Sequence, residues 1–370
     1  MQLPAGDDDP TRAALLTTAV ISAHPTPHTS GTEYAISTRA LVKSYPGPDG
    51  TVDAVRELDL DVFRGETFAF LGPNGAGKST TISLLCALAR PTSGQAVVAG
   101  VDVTRRPQEV RRRVGMVFQR SALDPDLTAD QNLLIHARLY GLGRRCARRR
   151  SGEVLDAVGL TDRRRSPVRT LSGGMRRRLE IARGLLHSPE VLFLDEPTTG
   201  LDPHARAQVW DHLRALRDRH GSTLFVTTHY LEEAENCDRI AIIDHGRLVA
   251  QGTPFALKSA VGDDKVLLRT SDDTTARRLA GMIAPPDRPV TVDADGVHLR
   301  LPDGSTWIPR LCGVLEEHGI AVRAASATPP TLDDVFFHHT GRSLQATGQP
   351  GHPPAAPPRQ GTAPDSGGAR

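Results

Sequence analysis

Eight residues near the start of the chain leave little choice of fold. Gly72-Pro73-Asn74-Gly75-Ala76-Gly77-Lys78-Ser79 follows a short apolar run, Thr67-Phe68-Ala69-Phe70-Leu71, and leads into a stretch of helical character. The pattern G-x-x-x-x-G-K-[ST] between a strand and a helix is a phosphate loop. Its glycines let backbone N–H groups converge on phosphate oxygens, and the start of the next helix adds a positive field. Lys78 is then expected to reach the β and γ phosphates, and the Ser79 hydroxyl to ligate Mg²⁺.

The surrounding pattern agrees with such a loop. Leu58–Val62 alternates as a half-buried strand does, and Val191–Leu194 and Leu224–Val226 are apolar runs of the kind found in buried parallel strands. Strands alternating with helices predict a doubly wound α/β core. The stretch from Thr104 to Glu180 reads as mostly helical. After about residue 260 the expected elements are strand Lys265–Thr270, helix Thr274–Ile283, strands Val290–Val292 and Val297–Leu301, helix Thr306–Glu317 and strand Ile320–Ala324. That βαββαβ order suggests a small ferredoxin-like unit over 261–340. Residues 1–32, rich in Pro, Thr, Ser and Ala, and the Gly/Pro/Gln tail 341–370 are expected to be disordered.

Two further stretches carry chemistry. Val191–Leu194 ends in Asp195-Glu196-Pro197, which puts carboxylates at the carboxyl end of a buried strand, where open α/β sheets place their ligand. Asp195 is expected to hold Mg²⁺ and Glu196 to polarise an attacking water. Leu171-Ser172-Gly173-Gly174-Met175 opens a helix before that strand, and its free N–H groups suit an anion.

Taken together these residues resemble the ATP-binding subunit of an ABC transporter, over about residues 34–255. Leu171–Met175 resembles the signature motif, with Met175 where many members have glutamine. Gln119 matches the Q-loop glutamine, Thr199-Gly200-Leu201-Asp202 the D-loop, and His229 the switch histidine. Tyr45 stands where the family has an aromatic that stacks on adenine.

The resemblance implies a phosphate-loop cassette over 33–260, with a RecA-like core, an antiparallel β subdomain and an inserted helical subdomain near 104–180. A small α+β domain follows. It implies ATP and Mg²⁺ as ligands. Tyr45, Gly72, Pro73, Asn74, Gly75, Ala76, Gly77, Lys78, Ser79, Thr80, Ser172, Gly173, Gly174 and Asp202 would bind nucleotide, and Ser79, Gln119 and Asp195 the metal. Two copies would close head to tail, each ATP lying between one chain's phosphate loop and the other's Ser172–Gly174. Glu196 acts as general base, His229 holds the γ phosphate, Gln119 senses the metal and Lys78 stabilises charge. Gly173–Glu180 and Pro330–Phe336 resemble the daunorubicin-resistance type, which implies export of amphipathic drugs through a separate membrane-spanning permease. An importer subunit, or an ABC ATPase acting on DNA or ribosomes, is the alternative.

Composition bears on the partners. With 38% hydrophobic and 24% charged residues the chain can form a globular core. Its 45 basic and 43 acidic residues leave a net charge of +2, too balanced for charge-driven nucleic-acid binding. Four scattered cysteines without a Cys-x-x-Cys pair argue for a reducing compartment. No apolar window approaches the ~18 residues of a membrane helix, Ala13–Ala23 being short and preceded by Asp7–Asp9, so a soluble cytoplasmic protein is expected. The resemblance implies that it is held peripherally on the cytoplasmic face of the membrane. From Thr104 to Glu180 there are 19 arginines against 8 acidic residues, which reads as a solvated face, a nucleic-acid surface or a face near an anionic leaflet. Without aromatic stacking platforms beside them, no nucleic-acid partner is expected.

Overall fold

The computed structural model describes residues 33–344 except 48–49, 285–289, 294 and 343. The N-terminal tail, the Ala13–Ala23 stretch and nearly all of the 341–370 tail lie outside the described residues.

β1 (Tyr34–Gly47) and β2 (Gly50–Phe63) form an antiparallel hairpin with Thr38 opposite Leu60. The chain then runs through β3 (Thr67–Leu71), the phosphate loop and α1 (Lys78–Leu85). β4 (Ser93–Val98) and β5 (Val101–Asp102) complete a four-stranded antiparallel sheet in the order β2-β1-β4-β5. α2 (Pro107–Arg113), β6 (Val114–Val117), α3 (Ala129–Leu139), α4 (Arg144–Ala157) and α5 (Gly173–Leu185) lead to β7 (Val191–Asp195). α6 (Pro203–His220), β8 (Thr223–Thr228), α7 (Leu231–Ala234), β9 (Arg239–Asp244), β10 (Arg247–Gly252) and α8 (Pro254–Val261) follow.

The central sheet has the order β10-β9-β3-β8-β7-β6, parallel throughout except for the β9–β10 pair. Every residue of β3, β7 and β8 is buried, as expected of strands covered on both faces. Alternation sorts their side chains into two cores. Phe68, Phe70, Phe193 and Phe225 face the antiparallel sheet, Phe225 lying 5.4–5.6 Å from the other three rings. Ala69, Leu71, Leu192, Leu194, Leu224 and Val226 face the helices. The order of a doubly wound sheet places the ends of β3, β7 and β8 side by side, and there the phosphate loop, Asp195 and Thr228 meet.

The stretch expected to be helical from Thr104 contains β6, which pairs in parallel with β7. Four residues are too few to show a period. Gly115 is there because a side chain would collide with the Gly184 carbonyl, 2.3 Å from where its Cβ would be.

After α8 come β11 (Asp264–Thr270), α9 (Asp273–Ile283), β12 (Thr291–Asp293), β13 (Gly296–Leu301), α10 (Gly304–Glu317), β14 (Val322–Thr328) and α11 (Leu332–Thr340). The last strand begins later than expected and runs further. The antiparallel sheet β12-β13-β11-β14 puts the first and third strands in the middle, the strand order of a ferredoxin-like sheet. Val266, Leu268, Val297, Leu299, Leu311 and Leu315 form its own core. The apolar stripe Leu332, Val335, Phe336 does not join that core. It packs with Leu257 of α8 and Ala250 in the cluster of the cassette itself. Arg342 adds an ion pair to Asp244, at 2.6 Å. α11 and Arg342 thus strap back onto the nucleotide-binding part.

Candidate nucleotide site

Backbone conformation shapes the loop. Gly77 has φ +107, and a Cβ there would sit 2.3 Å from the Ala54 carbonyl oxygen, so only glycine fits. Gly75 has φ +82 with open space above it, room into which a phosphate can come close. Gly77 is also the N-cap of α1 and has no side chain to cap with, leaving the first N–H groups of that helix without a side-chain partner. Asn74 and Ser79 are exposed, and Thr80 is half-buried.

Lys78 is buried. Its ammonium donates to the carbonyls of Gly72 (2.7 Å) and Pro73 (3.1 Å) and lies 3.5 Å from Glu196 Oε1. Burial pulls its pKa down, with Glu196 and Asp195 acting against that shift. Ser79 Oγ donates to Asp195 Oδ1 at 3.3 Å, and Thr227 Oγ1 donates to the same oxygen at 2.6 Å.

Glu196 gathers the remaining predicted residues. Gln119 Nε2 donates to Oε2 at 2.9 Å, Thr199 Oγ1 donates to it at 3.2 Å, and His229 Nδ1 stands 3.3 Å from Oε1. His229, burial working in the opposite sense, Lys78 and Thr199 together leave the carboxyl with a pKa of about 2. Its backbone has φ +46, rare for a residue with a side chain, and is held there by N–H donation to Thr227 O and Oγ1.

Three predicted groups lie outside this cluster. Ser172 caps α5, its Oγ accepting from Met175 N at 3.2 Å, and Ser172 and Gly173 are exposed with Gly174 half-buried beside them. Asp202 caps α6 by accepting from Ala205 N, which depresses its pKa. Tyr45 is 39% exposed near the end of β1, with Lys43 Nζ 4.8 Å above its ring.

Two groups escaped the sequence reading. Arg177, from a run taken as a surface, is buried against the turn that carries Glu196. Glu233 is buried, accepting from Thr198 and, at 2.7 Å, from Thr228, and so braces the segments on either side of the site. Its place four residues after His229, at the start of α7, is the one signal that could have shown the latter.

The chain matches the family model for ABC transporters over residues 55–199. It is 45% identical to the daunorubicin/doxorubicin resistance ATP-binding protein DrrA of Streptomyces peucetius, over 83% of this chain and 92% of that protein. The chain belongs to the ABC transporter ATP-binding family. It is also 39% identical to the Nod factor export ATP-binding protein I of Ralstonia nicotianae, over 85% of this chain and 96% of that one. Among solved structures, the ATP-binding cassette MJ0796, dimeric in a post-hydrolysis state with ADP and Pi, superposes with a TM-score of 0.54 at 26% identity, covering 59% of this chain and 98% of that one. A cbiO1 subunit from Clostridium perfringens gives a TM-score of 0.56 at 30% identity, over 62% and 93%. The chain is thus an ATP-binding subunit and an ATPase of the ABC type.

The ABC site suits its nucleotide. A buried ammonium neutralised by a neighbouring carboxylate, an uncapped helix start and an open glycine turn form a cradle for phosphate oxygens. Ser79 and Asp195 offer two hard oxygen donors, while no group of three or more metal-ligating side chains occurs among the described residues. Two donors completed by substrate phosphates and water is the usual Mg²⁺ arrangement.

Proposed function

We propose that this ABC ATPase powers outward transport of amphipathic, drug- or antibiotic-like compounds through a separate membrane-spanning permease, working as a pair of cassettes on the cytoplasmic face of the membrane. No helix among the described residues is long and apolar enough to cross a bilayer, which agrees with a path for cargo supplied by another chain. Export is the direction named for the Nod factor relative, and the daunorubicin- and doxorubicin-resistance relatives suggest the cargo class. The dimeric state of the similar cassette supports pairing.

The observation that carries the catalytic reading is the convergence of Lys78, Gln119 and His229 on the one carboxylate of Glu196. Mg²⁺, when bound by Ser79 and Asp195 with Gln119 beside them, supplies charge neutralisation on the phosphate oxygens. Lys78 exchanges the Glu196 carboxylate for phosphate oxygens as nucleotide enters. Glu196 then loses its cation and gains an anionic neighbour, and both changes raise its pKa from about 2 toward the range where a carboxylate removes a proton from water. His229 leaves Glu196 for the γ phosphate. Ser172 and Gly173, exposed at the start of α5, and the half-buried Gly174 beside them are placed to close over the nucleotide of a partner cassette. Tyr45 offers its ring to the adenine, and Asp202 holds the start of α6 at the seam between the copies.

Glu196→Gln tests the assignment. It should leave ATP binding intact, lower turnover on the order of 10²-fold, and accumulate as an ATP-bound dimer on gel filtration. Near-normal turnover by the purified variant would remove Glu196 from the role. Lys78→Ala should instead weaken nucleotide binding itself, since it removes charge already engaged in the ground state.

A further inference from the structure

We propose that Arg177 is the positioning residue for both Glu196 and Gln119, tying the backbone that carries them to the first turns of α5. Its guanidinium is spread over one stretch of main chain. Nη2 donates to the carbonyls of Asp195 (3.1 Å) and Glu196 (3.2 Å), Nε donates to that of Pro197, and Nη1 donates to that of Phe118 (2.6 Å), directly before Gln119. Nη1 also meets Glu180 Oε2 at 2.6 Å, one turn along α5. The side chain is 8% exposed.

A guanidinium has five N–H donors in a fixed fork, and here they take three consecutive carbonyls and a fourth from the neighbouring segment. Charge balance alone would be met by Glu180. An apolar pair of similar volume would fill the space at no cost in desolvation. What neither does is hold three successive peptide planes around a residue at φ +46. Glu180 in turn accepts from Ala122 N, so the same pair grips the chain on both sides of Gln119. Arg177 also stands five residues after Ser172, on the helix whose start faces outward. Any tilt of α5 moves the peptides of Glu196 and Phe118 with it.

This reading rests on Glu196 being the base, and Glu196→Gln serves as the reference that tests that part separately. In the purified full-length chain, Arg177→Lys keeps the charge and the reach to Glu180 but cannot span four carbonyls. Arg177→Gln/Glu180→Gln removes both buried charges and keeps polar side chains at the two positions. Turnover should fall about ten- to hundredfold in each, the range expected when a reacting group is misplaced by about an ångström. The Kd for ATP, read with a fluorescent analogue, should stay within about threefold of the parent, a split that a general loss of structure does not produce. Turnover within twofold of the parent in either variant overturns the proposal. So does a parallel loss of turnover and affinity, or failure of both variants to fold, because each assigns Arg177 to stability alone. If Glu196→Gln itself turns over normally, the base assignment is what fails.

Discussion

Removing the ring of Phe336 measures what holds the C-terminal strap. Phe336 is fully buried among Leu257, Ala250, Leu332 and Val335, in the cluster that also contains Leu194 and Val226 of the central sheet. Phe→Ala in a packed core costs about 3–5 kcal/mol, the transfer and cavity contributions together. That is a large part of the stability of an ordinary domain. Two ion pairs anchor this segment besides, Lys265–Asp334 on α11 and Arg342–Asp244 just after it, each at 2.6 Å. Asp334 and Arg342 are partly exposed, so each pair adds only about 0–1 kcal/mol. The ring therefore outweighs both. In Phe336→Ala the helix should detach before the cassette unfolds, so amides of α11 and α8 should lose hydrogen-exchange protection while those of β3, β7 and β8 keep theirs. Arg342→Ala serves as a control with little effect. Unchanged exchange in α11, or a loss no greater than that of Arg342→Ala, would refute the view that burial in the cassette fixes this helix.

Two further outcomes follow from the nucleotide site. Gly77→Ala forces a Cβ onto the Ala54 carbonyl at φ +107, so it should weaken ATP binding at least tenfold, whereas Gly75→Ala, with open space above it, should cost less; equilibrium binding of both variants checks the order. Glu196 has its folded pKa depressed to about 2 from an ordinary 4.5, so the native state binds fewer protons and the stability this contributes is complete above about pH 4.5 and lost as pH falls toward 2. His229→Ala removes the largest contribution to that depression, so its acid loss should start in the same range but be smaller and be complete at a higher pH than in the parent, as urea titrations across that interval will read.

How much of this was legible depends on whether the signal is local. The phosphate loop, Asp195 and Glu196 could be read because each function is written in adjacent residues at the end of an apolar run. Their convergence on Lys78 follows from the parallel order of β3, β8 and β7. Arg177 could not be read, since its burial rests on carbonyls distant in sequence and an unbroken basic run carries no sign of them. Arginine uses here are mixed: Arg150 donates to the carbonyls of Leu185 and Leu186 at the end of α5, and Arg178 to Val158 at the end of α4, while Arg148, Arg163 and Arg165 are exposed. Basic side chains at helix C-termini meet both the free carbonyls and the dipole, a structural use that composition alone reads as surface. The stripe on α11 was visible as a period, but a period states that a face is covered and not by what. Its cover turned out to be α8, more than 70 residues earlier in the chain.

The left-handed backbone of Glu196 sets local strain against charge pairing at one position. A residue with a side chain held at φ +46 is strained by about 1 kcal/mol or more, and glycine there is not. Glycine would relieve that strain but leave the buried Lys78 ammonium without its carboxylate, a loss larger than about 1 kcal/mol. The turn therefore keeps its strained residue because the neighbours it gathers need the charge.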